Sequence, residues 1–183
     1  TMFPQAIALA AMFDEDGMER VGDVISTEGR AKYNAASRHG DRDIYKGLTF
    51  WSPNINIFRD PRWGRNEEAY GEDPCLAGTM AAAYTSGMAG SDEKYMRVIP
   101  TLKHFYANNN ENTRVNCNAN VPTRLKHEYY LKAFEKPVRD GRALSLMTSY
   151  NEVNGIEQLC SAELQFAREQ WGLLFAVTDG GDF

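Results

Sequence analysis

Short apolar runs alternate with amphipathic helical segments along the 183 residues, and this alternation constrains the fold more than any other feature. Strands are expected at 48–58, 98–102, 143–149 and 173–177, each followed by polar residues. Repeated strand–helix units predict a parallel sheet with helices outside it, either an open doubly wound sheet or a barrel. No Gly-x-Gly-x-x-Gly follows any strand, which argues against a dinucleotide-binding sheet. A full barrel takes about 250 residues. We therefore predict an α/β fold, a partial TIM-like (β/α) barrel with about four βα units.

Helix boundaries follow from apolar spacing and from end signals. We expect helices over 16–36, over 74–88, from a cap at Thr123, and over 162–171. Asp73 should cap the second helix and Gly90 should close it. Pro137 should kink the third helix or end it early.

Composition excludes several classes of function. The net charge of -5 and the lack of a basic patch argue against nucleic acid, and no apolar stretch is long enough for a membrane span. The three cysteines show no metal-like spacing, so we predict no metal site. We also predict that the protein uses no cofactor. Because no apolar stretch could span a membrane, we predict a soluble protein. The chain begins at Thr1 without a starting Met, so we expect an upstream segment to be missing. Compartment and homo-oligomerisation stay open.

Polar clusters follow the four predicted strands, at 59–68, at 103–114, at 147–154 and at Asp179. In parallel α/β folds this end of the strands is where catalytic groups lie. The cluster 103–114 combines an ammonium, an imidazole, several amides and a guanidinium, which suits a ligand with many hydroxyls. Each residue also has a simpler interpretation on its own: a surface ion pair, a buried histidine, or a turn aspartate.

Five segments in order resemble the N-terminal barrel domain of glycoside hydrolase family 3, which includes β-glucosidases and β-xylosidases. They are TMFPQAIALA at the start, the segment from Phe50 to Pro74, KHFYANNNENTR from Lys103, LMTSYNEVNG from Leu146, and FAVTDGGDF at the end. The resemblance implies that 1–183 is one partial catalytic barrel domain. It also implies that an upstream segment and a downstream α/β sandwich domain are absent from this chain.

The resemblance also implies roles for individual residues. Asp179 would be the catalytic nucleophile, and the substrate-binding residues would be Arg65, Lys103, His104, Arg114 and Tyr150. Asp182 lies outside the nucleophile position. Lys103 and His104 are adjacent, so in a regular strand they would face opposite sides, and joint substrate contact requires irregular backbone.

The implied activity is a retaining exo-acting β-glycoside hydrolase that acts on oligosaccharides or aryl β-glycosides through a covalent glycosyl-Asp179 intermediate. The general acid has no convincing candidate in the chain. The nearby carboxylates are interpreted as helix-start, loop or ion-pairing groups; they are Glu67, Glu68, Glu72 and Glu111.

Two departures from the family bear on the sugar. Gly180 stands where many β-glucosidases of the family carry Trp, so xylose or arabinose becomes plausible beside glucose. The histidine loop lacks the Pro-Gly-His continuation of the N-acetylglucosaminidases, which disfavours hexosamines.

Two alternatives stay open at this level. The chain could belong to a non-catalytic sugar-binding relative of such enzymes, because no acid/base residue is evident. Alternatively, Asp179 and Asp182 could form a metal clamp for phosphate chemistry.

Overall fold

Helices and strands alternate through residues 1–180, which are the residues that the computed structural model describes. The helices are α1 (Ala6–Ala10), α2 (Glu15–Arg38), α3 (Pro74–Ala89), α4 (Thr123–Leu125), α5 (Lys132–Arg139) and α6 (Ala162–Phe166). The strands are β1 (Thr49–Phe50), β2 (Ile99–Phe105), β3 (Asn118–Ala119), β4 (Ser145–Thr148), β5 (Glu152–Val153) and β6 (Phe175–Thr178). No helix among these residues is long and apolar enough to cross a membrane.

Four strands form one parallel sheet in the order β1-β2-β4-β6. Because all four run in the same direction, their carboxyl ends lie along one edge. The sheet and the helices enclose an apolar core that includes Met18, Met80, Leu102, Phe134 and Leu146. The predicted α/β class with parallel strands is confirmed.

The prediction of a continuous strand over 48–58 was wrong. Regular pairing covers only β1, after which one bridge joins Asn54 to Lys103. The Ile55 N–H donates to the Lys103 carbonyl at 2.9 Å, and the Lys103 N–H donates to the Pro53 carbonyl at 3.1 Å. Pro53 has no N–H and therefore interrupts the ladder. The segment still lies alongside β2 and presents its polar side chains there.

A second, two-stranded parallel sheet of β3 and β5 was not predicted. Each strand has only two residues and lies in a polar stretch, so neither produces an apolar run. Asn154 next to it accepts from the Val121 N–H at 2.8 Å and donates to the Val121 carbonyl at 2.9 Å.

The helix-end signals were mostly right. The Asp73 side chain accepts from the Leu76 N–H at 2.6 Å, and Gly90 ends α3 with φ +81°. The predicted cap at Thr123 was wrong, because Thr123 is the first residue of α4 and Pro122 precedes it without a side-chain bond.

A π-helical turn over 126–130 separates α4 from α5, and α5 continues two residues past Pro137. The predicted helix over 162–171 is α6 followed by a π-helical turn over 167–171.

Helices α2 and α3 approach each other through two glycines. A Cβ on Gly22 would overlap the carbonyl oxygen of Tyr84, and a Cβ on Gly87 would overlap that of Glu19. Backbone atoms cannot move aside as a flexible side chain can. Tyr84 of α3 also reaches Ser52, with 3.3 Å between the two hydroxyl oxygens, so this helix pair supports the segment beside β2.

We expect Gly87→Ala to destabilise the fold by about 3 kcal/mol or more, because the added methyl meets backbone. In an ordinary helix interior the same change would stabilise by about 1 kcal/mol. Gly78→Ala in the same helix is the matched control, since its Cβ would lie 3.4 Å from the nearest atom, the Ala133 oxygen. Thermal and denaturant unfolding measure both. Equal stability of the two variants would contradict the close approach.

Candidate active site

The four polar clusters meet at the carboxyl edge of the sheet. Lys103 and His104 lie near the end of β2, Tyr150 follows β4, and Asp179 follows the last residue of β6. Arg65 directly precedes a 3₁₀ turn over 66–68. The sheet topology therefore brings together residues that lie up to 114 positions apart, Arg65 and Asp179.

Arg65 is the most highly connected side chain of the cluster. Its Nε and Nη2 donate to the two carboxylate oxygens of Glu68 at 2.8 and 2.9 Å. Its Nη1 lies 3.9 Å from Glu111 Oε1 and 3.4 Å from His104 Nε2. The paired carboxylate raises the pKa of Arg65 above its ordinary value. Burial opposes ionisation of Glu68, but Arg65, Asn54 and Lys103 outweigh it and lower the pKa of that carboxyl.

His104 is almost fully buried and faces both the sheet interior and the nucleophile candidate. Its ring Nδ1 lies 2.8 Å from Asn56 Oδ1, and its Nε2 lies 3.7 Å from Asp179 Oδ2. Burial, reinforced by the positive charges of Arg65 and Lys103, lowers the pKa of His104 to about 3. The ring is therefore neutral at physiological pH, and its approach to Asp179 is a polar contact rather than an ion pair.

The backbone is irregular where Lys103 and His104 meet. The pairing of β2 with β4 shifts register between Leu102 and Phe105, and the Lys103–His104 peptide bond is cis. Both side chains lie within electrostatic range of Glu68, and Lys103 is also within range of Asp179. Burial lowers the pKa of Lys103, and Arg65 lowers it further. The irregular backbone that joint contact requires is present.

The loop that carries Asp179 is held by a bond within the loop and by Tyr150, which follows β4. Its Oδ1 accepts from the Gly180 N–H at 2.8 Å, and the Tyr150 hydroxyl donates to the Gly180 carbonyl at 2.5 Å. The Arg114 guanidinium lies 4.8 Å from the centre of the Tyr150 ring, a cation–π contact. The Asp179 side chain stays 17% exposed, so its carboxylate is accessible to a ligand.

Four contributors to the site were not among the predicted site residues: Asn54, Asn56, Glu68 and Glu111. Asn56 contacts His104, and Asn54 Nδ2 donates to Glu68 at 3.3 Å. Glu111 accepts from Arg114 at 3.2 Å and from the buried Trp63 Nε1 at 2.9 Å. The ion-pairing interpretation of Glu68 and Glu111 agrees with these contacts. Alternating asparagines in an otherwise apolar segment, Asn54 and Asn56, were the available signal for two of the missing residues.

No group of three or more His, Cys, Asp or Glu placed to hold a metal occurs within residues 1–180. Asp182 lies outside the described residues, and so does the end of the FAVTDGGDF segment. The hypothesis that Asp179 and Asp182 form a metal clamp is therefore untested by the geometry.

The sequence matches a known family over nearly its whole length. Residues 1–175 match the family described as glycosyl hydrolase family 3 N terminal domain. A curated relative, β-D-xylosidase 3 of Arabidopsis thaliana, is 41% identical over 182 residues, which cover 94% of this chain and 22% of the relative. The chain spans about a quarter of the length of the curated relatives it matches.

Solved structures show the same fold. A GH3 exo-β-xylosidase in complex with a xylobiose aziridine activity-based probe superposes with a TM-score of 0.88 at 29% identity, over 100% of this chain and 24% of that one. The β-glucosidase 3B of Thermotoga neapolitana, in complex with glucose, superposes with a TM-score of 0.83 at 33% identity, over 98% of this chain and 23% of that one. The fold is therefore part of a TIM-like barrel.

The depressed pKa of His104 predicts an acid sensitivity. Its folded value of about 3 lies below its ordinary 6.5, so the unfolded state takes up a proton first as the pH falls. The contribution of the neutral His104 ring to the free energy of unfolding is fully present above about pH 6.5. It is lost as the pH falls towards 3, by at most about 5 kcal/mol. We expect His104→Gln to remove this contribution to the pH dependence of Tm.

The exposed His39 supplies the control, because His39→Gln changes a side chain that solvent reaches in both states. Scanning calorimetry of the parent and both variants between about pH 4 and pH 7 measures the effect. Parallel pH dependence for the parent and His104→Gln would contradict a neutral buried imidazole.

Proposed function

Because the chain belongs to glycoside hydrolase family 3, we propose that it carries the catalytic nucleophile of a retaining exo-acting β-glycoside hydrolase. The observation that carries the proposal is the position of Asp179. Its carboxylate lies at the carboxyl edge of the sheet, near His104 and the Arg65–Glu68 pair, and its side chain is partly exposed. Polar groups that suit sugar hydroxyls surround it.

In the proposed first step, an oxygen of Asp179 attacks the anomeric carbon of the terminal sugar. The bond from that carbon to the leaving oxygen breaks, and a general acid gives the leaving oxygen a proton. In the second step water attacks the anomeric carbon, the bond to Asp179 breaks, and the water proton returns to the same acid/base residue. Sugar and alcohol are released with the anomeric configuration retained.

The general acid is assigned outside this chain. Such an acid needs a pKa raised towards neutrality, whereas Arg65 lowers that of Glu68. Glu111 is already committed to Arg114 and Trp63. In the proposal, 1–183 is one partial catalytic barrel domain, and the acid comes from a downstream α/β sandwich domain. The short share of the relatives' length that the chain spans supports this division.

The remaining site residues receive roles in binding. Arg65, Lys103, His104 and Arg114 bind sugar hydroxyls, and the cationic groups also favour the ionised nucleophile. Tyr150 fixes the Asp179 loop through the Gly180 carbonyl. The substrate is an oligosaccharide or aryl β-glycoside with a terminal β-D-xylosyl group. The similarity to β-D-xylosidase 3 and the absence of an aromatic residue at Gly180 support xylose over glucose.

The nucleophile assignment predicts covalent trapping at Asp179. A 2-deoxy-2-fluoro-β-xyloside with a good leaving group should form a stable adduct with the complete protein, and peptide mass spectrometry should locate it there. Asp179→Ala should lower kcat by about 10⁴-fold or more. Azide should restore turnover and give the α-xylosyl azide, because it attacks from the vacated side.

Asp140→Asn, at the exposed end of α5, is the control and should keep parental activity. An adduct on another residue would refute the nucleophile assignment. If the complete protein bound xylose but Asp179→Ala changed no hydrolysis, the chain would instead belong to a non-catalytic sugar-binding protein.

The sugar preference is tested with aryl glycosides. We expect kcat/KM to be at least about 10-fold higher for the β-D-xyloside than for the β-D-glucoside, since rejecting one extra small group, here the hydroxymethyl group of glucose, is worth about 1–3 kcal/mol. A Cβ on Gly180 would meet no described atom within 4 Å, so a side chain can begin there without a clash and Gly180→Trp is the variant to test. In Gly180→Trp the ratio of kcat/KM for the β-D-xyloside to kcat/KM for the β-D-glucoside should fall, because many β-glucosidases of the family carry Trp at this position. Preference for the glucoside or for an α-L-arabinofuranoside would overturn the assignment of the sugar.

A further inference from the structure

Asn56 and His104 are joined by three hydrogen bonds in the buried part of the site. The His104 backbone N–H donates to Asn56 Oδ1 at 3.0 Å, and Asn56 Nδ2 donates to the His104 carbonyl at 2.8 Å. The ring Nδ1 of His104 lies 2.8 Å from the same Oδ1. Asn56 is 3% exposed and His104 is 2% exposed, so solvent does not substitute for these contacts.

The backbone of His104 fixes which end of the Asn56 amide is oxygen. A backbone N–H can only donate and a carbonyl can only accept, so exchanging Oδ1 and Nδ2 would break both bonds. The atom that faces the ring Nδ1 is therefore the amide oxygen. Because an amide oxygen only accepts, Nδ1 must carry the ring proton.

The other side of the ring is compatible with the same tautomer. Nε2 lies 3.4 Å from Arg65 Nη1, and a guanidinium nitrogen only donates. A lone pair on Nε2 suits this neighbour, whereas an N–H there would face a second donor. Because the contact is too long for a strong hydrogen bond, the lone pair of Nε2 remains able to accept from a ligand.

We propose that Asn56 is a positioning residue that holds His104 in the Nδ1–H tautomer, so that Nε2 accepts a hydrogen bond from a sugar hydroxyl beside Asp179. The statement about the sugar rests on the proposed function, whereas the tautomer does not. The site then requires a hydroxyl that donates. A fluorine atom can accept but cannot donate, so the site should discriminate against a sugar fluorinated at that position.

The charges around His104 support a single protonation state. Arg65, Lys103 and Arg114 disfavour a second ring proton, and Glu68 favours it. Asp179 Oδ2 lies 3.7 Å from Nε2, beyond hydrogen-bond distance, so this carboxylate does not require a proton on Nε2. Asn56 itself is neutral at any pH, so it contributes orientation rather than charge.

The tautomer is tested first and without reference to activity. The complete protein is labelled with ¹⁵N-histidine, and the His104 signals are assigned by their loss in His104→Gln. We expect a protonated Nδ1 and an unprotonated Nε2, with no titration between about pH 5 and pH 8. A proton on Nε2, or two protonated nitrogens, would overturn the proposal.

The role of Asn56 is tested with Asn56→Ala. Without the amide oxygen, both tautomers should become populated in the ¹⁵N spectrum, and kcat/KM should fall about 10-fold. Asn154→Gly is the matched control. It also removes a side-chain amide that accepts from and donates to the backbone of one residue, Val121, and the φ of +54° at Asn154 suits glycine. This control should leave the His104 spectrum unchanged. If His104 kept a single Nδ1–H tautomer in Asn56→Ala, Asn56 would not be the residue that sets the tautomer.

Calorimetry with xylose and its 2-, 3- and 4-deoxyfluoro analogues tests the hydrogen bond to the sugar. In the parent, at least one analogue should bind about 10-fold more weakly than xylose, and the difference should shrink in Asn56→Ala. Equal affinities in the parent would exclude Nε2 as a required acceptor. If no sugar bound, the proposed function would fail, while the ¹⁵N spectrum would still decide the tautomer.

Discussion

The positive charge of Arg65 has to be balanced in a largely closed setting, and the groups that balance it define the site. Its guanidinium forms a two-point pair with Glu68, from the same short turn, and lies near Glu111, from the loop after β2. Two-point pairing fixes direction as well as distance. Arg65 thereby presents Nη1 to His104, and losing either Glu68 or Glu111 would leave the guanidinium as a poorly solvated charge.

The same balance extends across the whole cluster. The cations Arg65, Lys103 and Arg114 face the carboxyl groups of Glu68, Glu111 and Asp179, while His104 stays neutral. A site with equal formal charges of both signs suits an uncharged ligand with many hydroxyls. The structure thus provides many directional donors and acceptors without a strong net field.

Sequence reasoning recovered those parts of the fold that local pattern determines. Parallel strands, the Asp73 cap and the Gly90 terminus follow from apolar spacing and end chemistry. The strand predicted over 48–58 was too long, because apolar content does not show where backbone pairing stops. The hydrogen bonds to β2 are interrupted at Pro53, which has no N–H, and only an isolated bridge at Asn54 follows. The predicted site residues do converge, yet Asn56 was missed. The alternating asparagines mark the position, but its role depends on facing the His104 backbone, 48 positions away, and local sequence does not reveal that partner.

The pairing of β4 with β6 links two parts of the site mechanically. Within the described sheet, the backbone of β6 is held by β4, in register from Ser145 opposite Phe175 to Thr148 opposite Thr178. Strand β6 leads directly to Asp179, and β4 leads to Tyr150, whose hydroxyl bonds the Gly180 carbonyl. A substitution that shifted the register of β4 would therefore move the nucleophile candidate and the tyrosine that fixes its loop together.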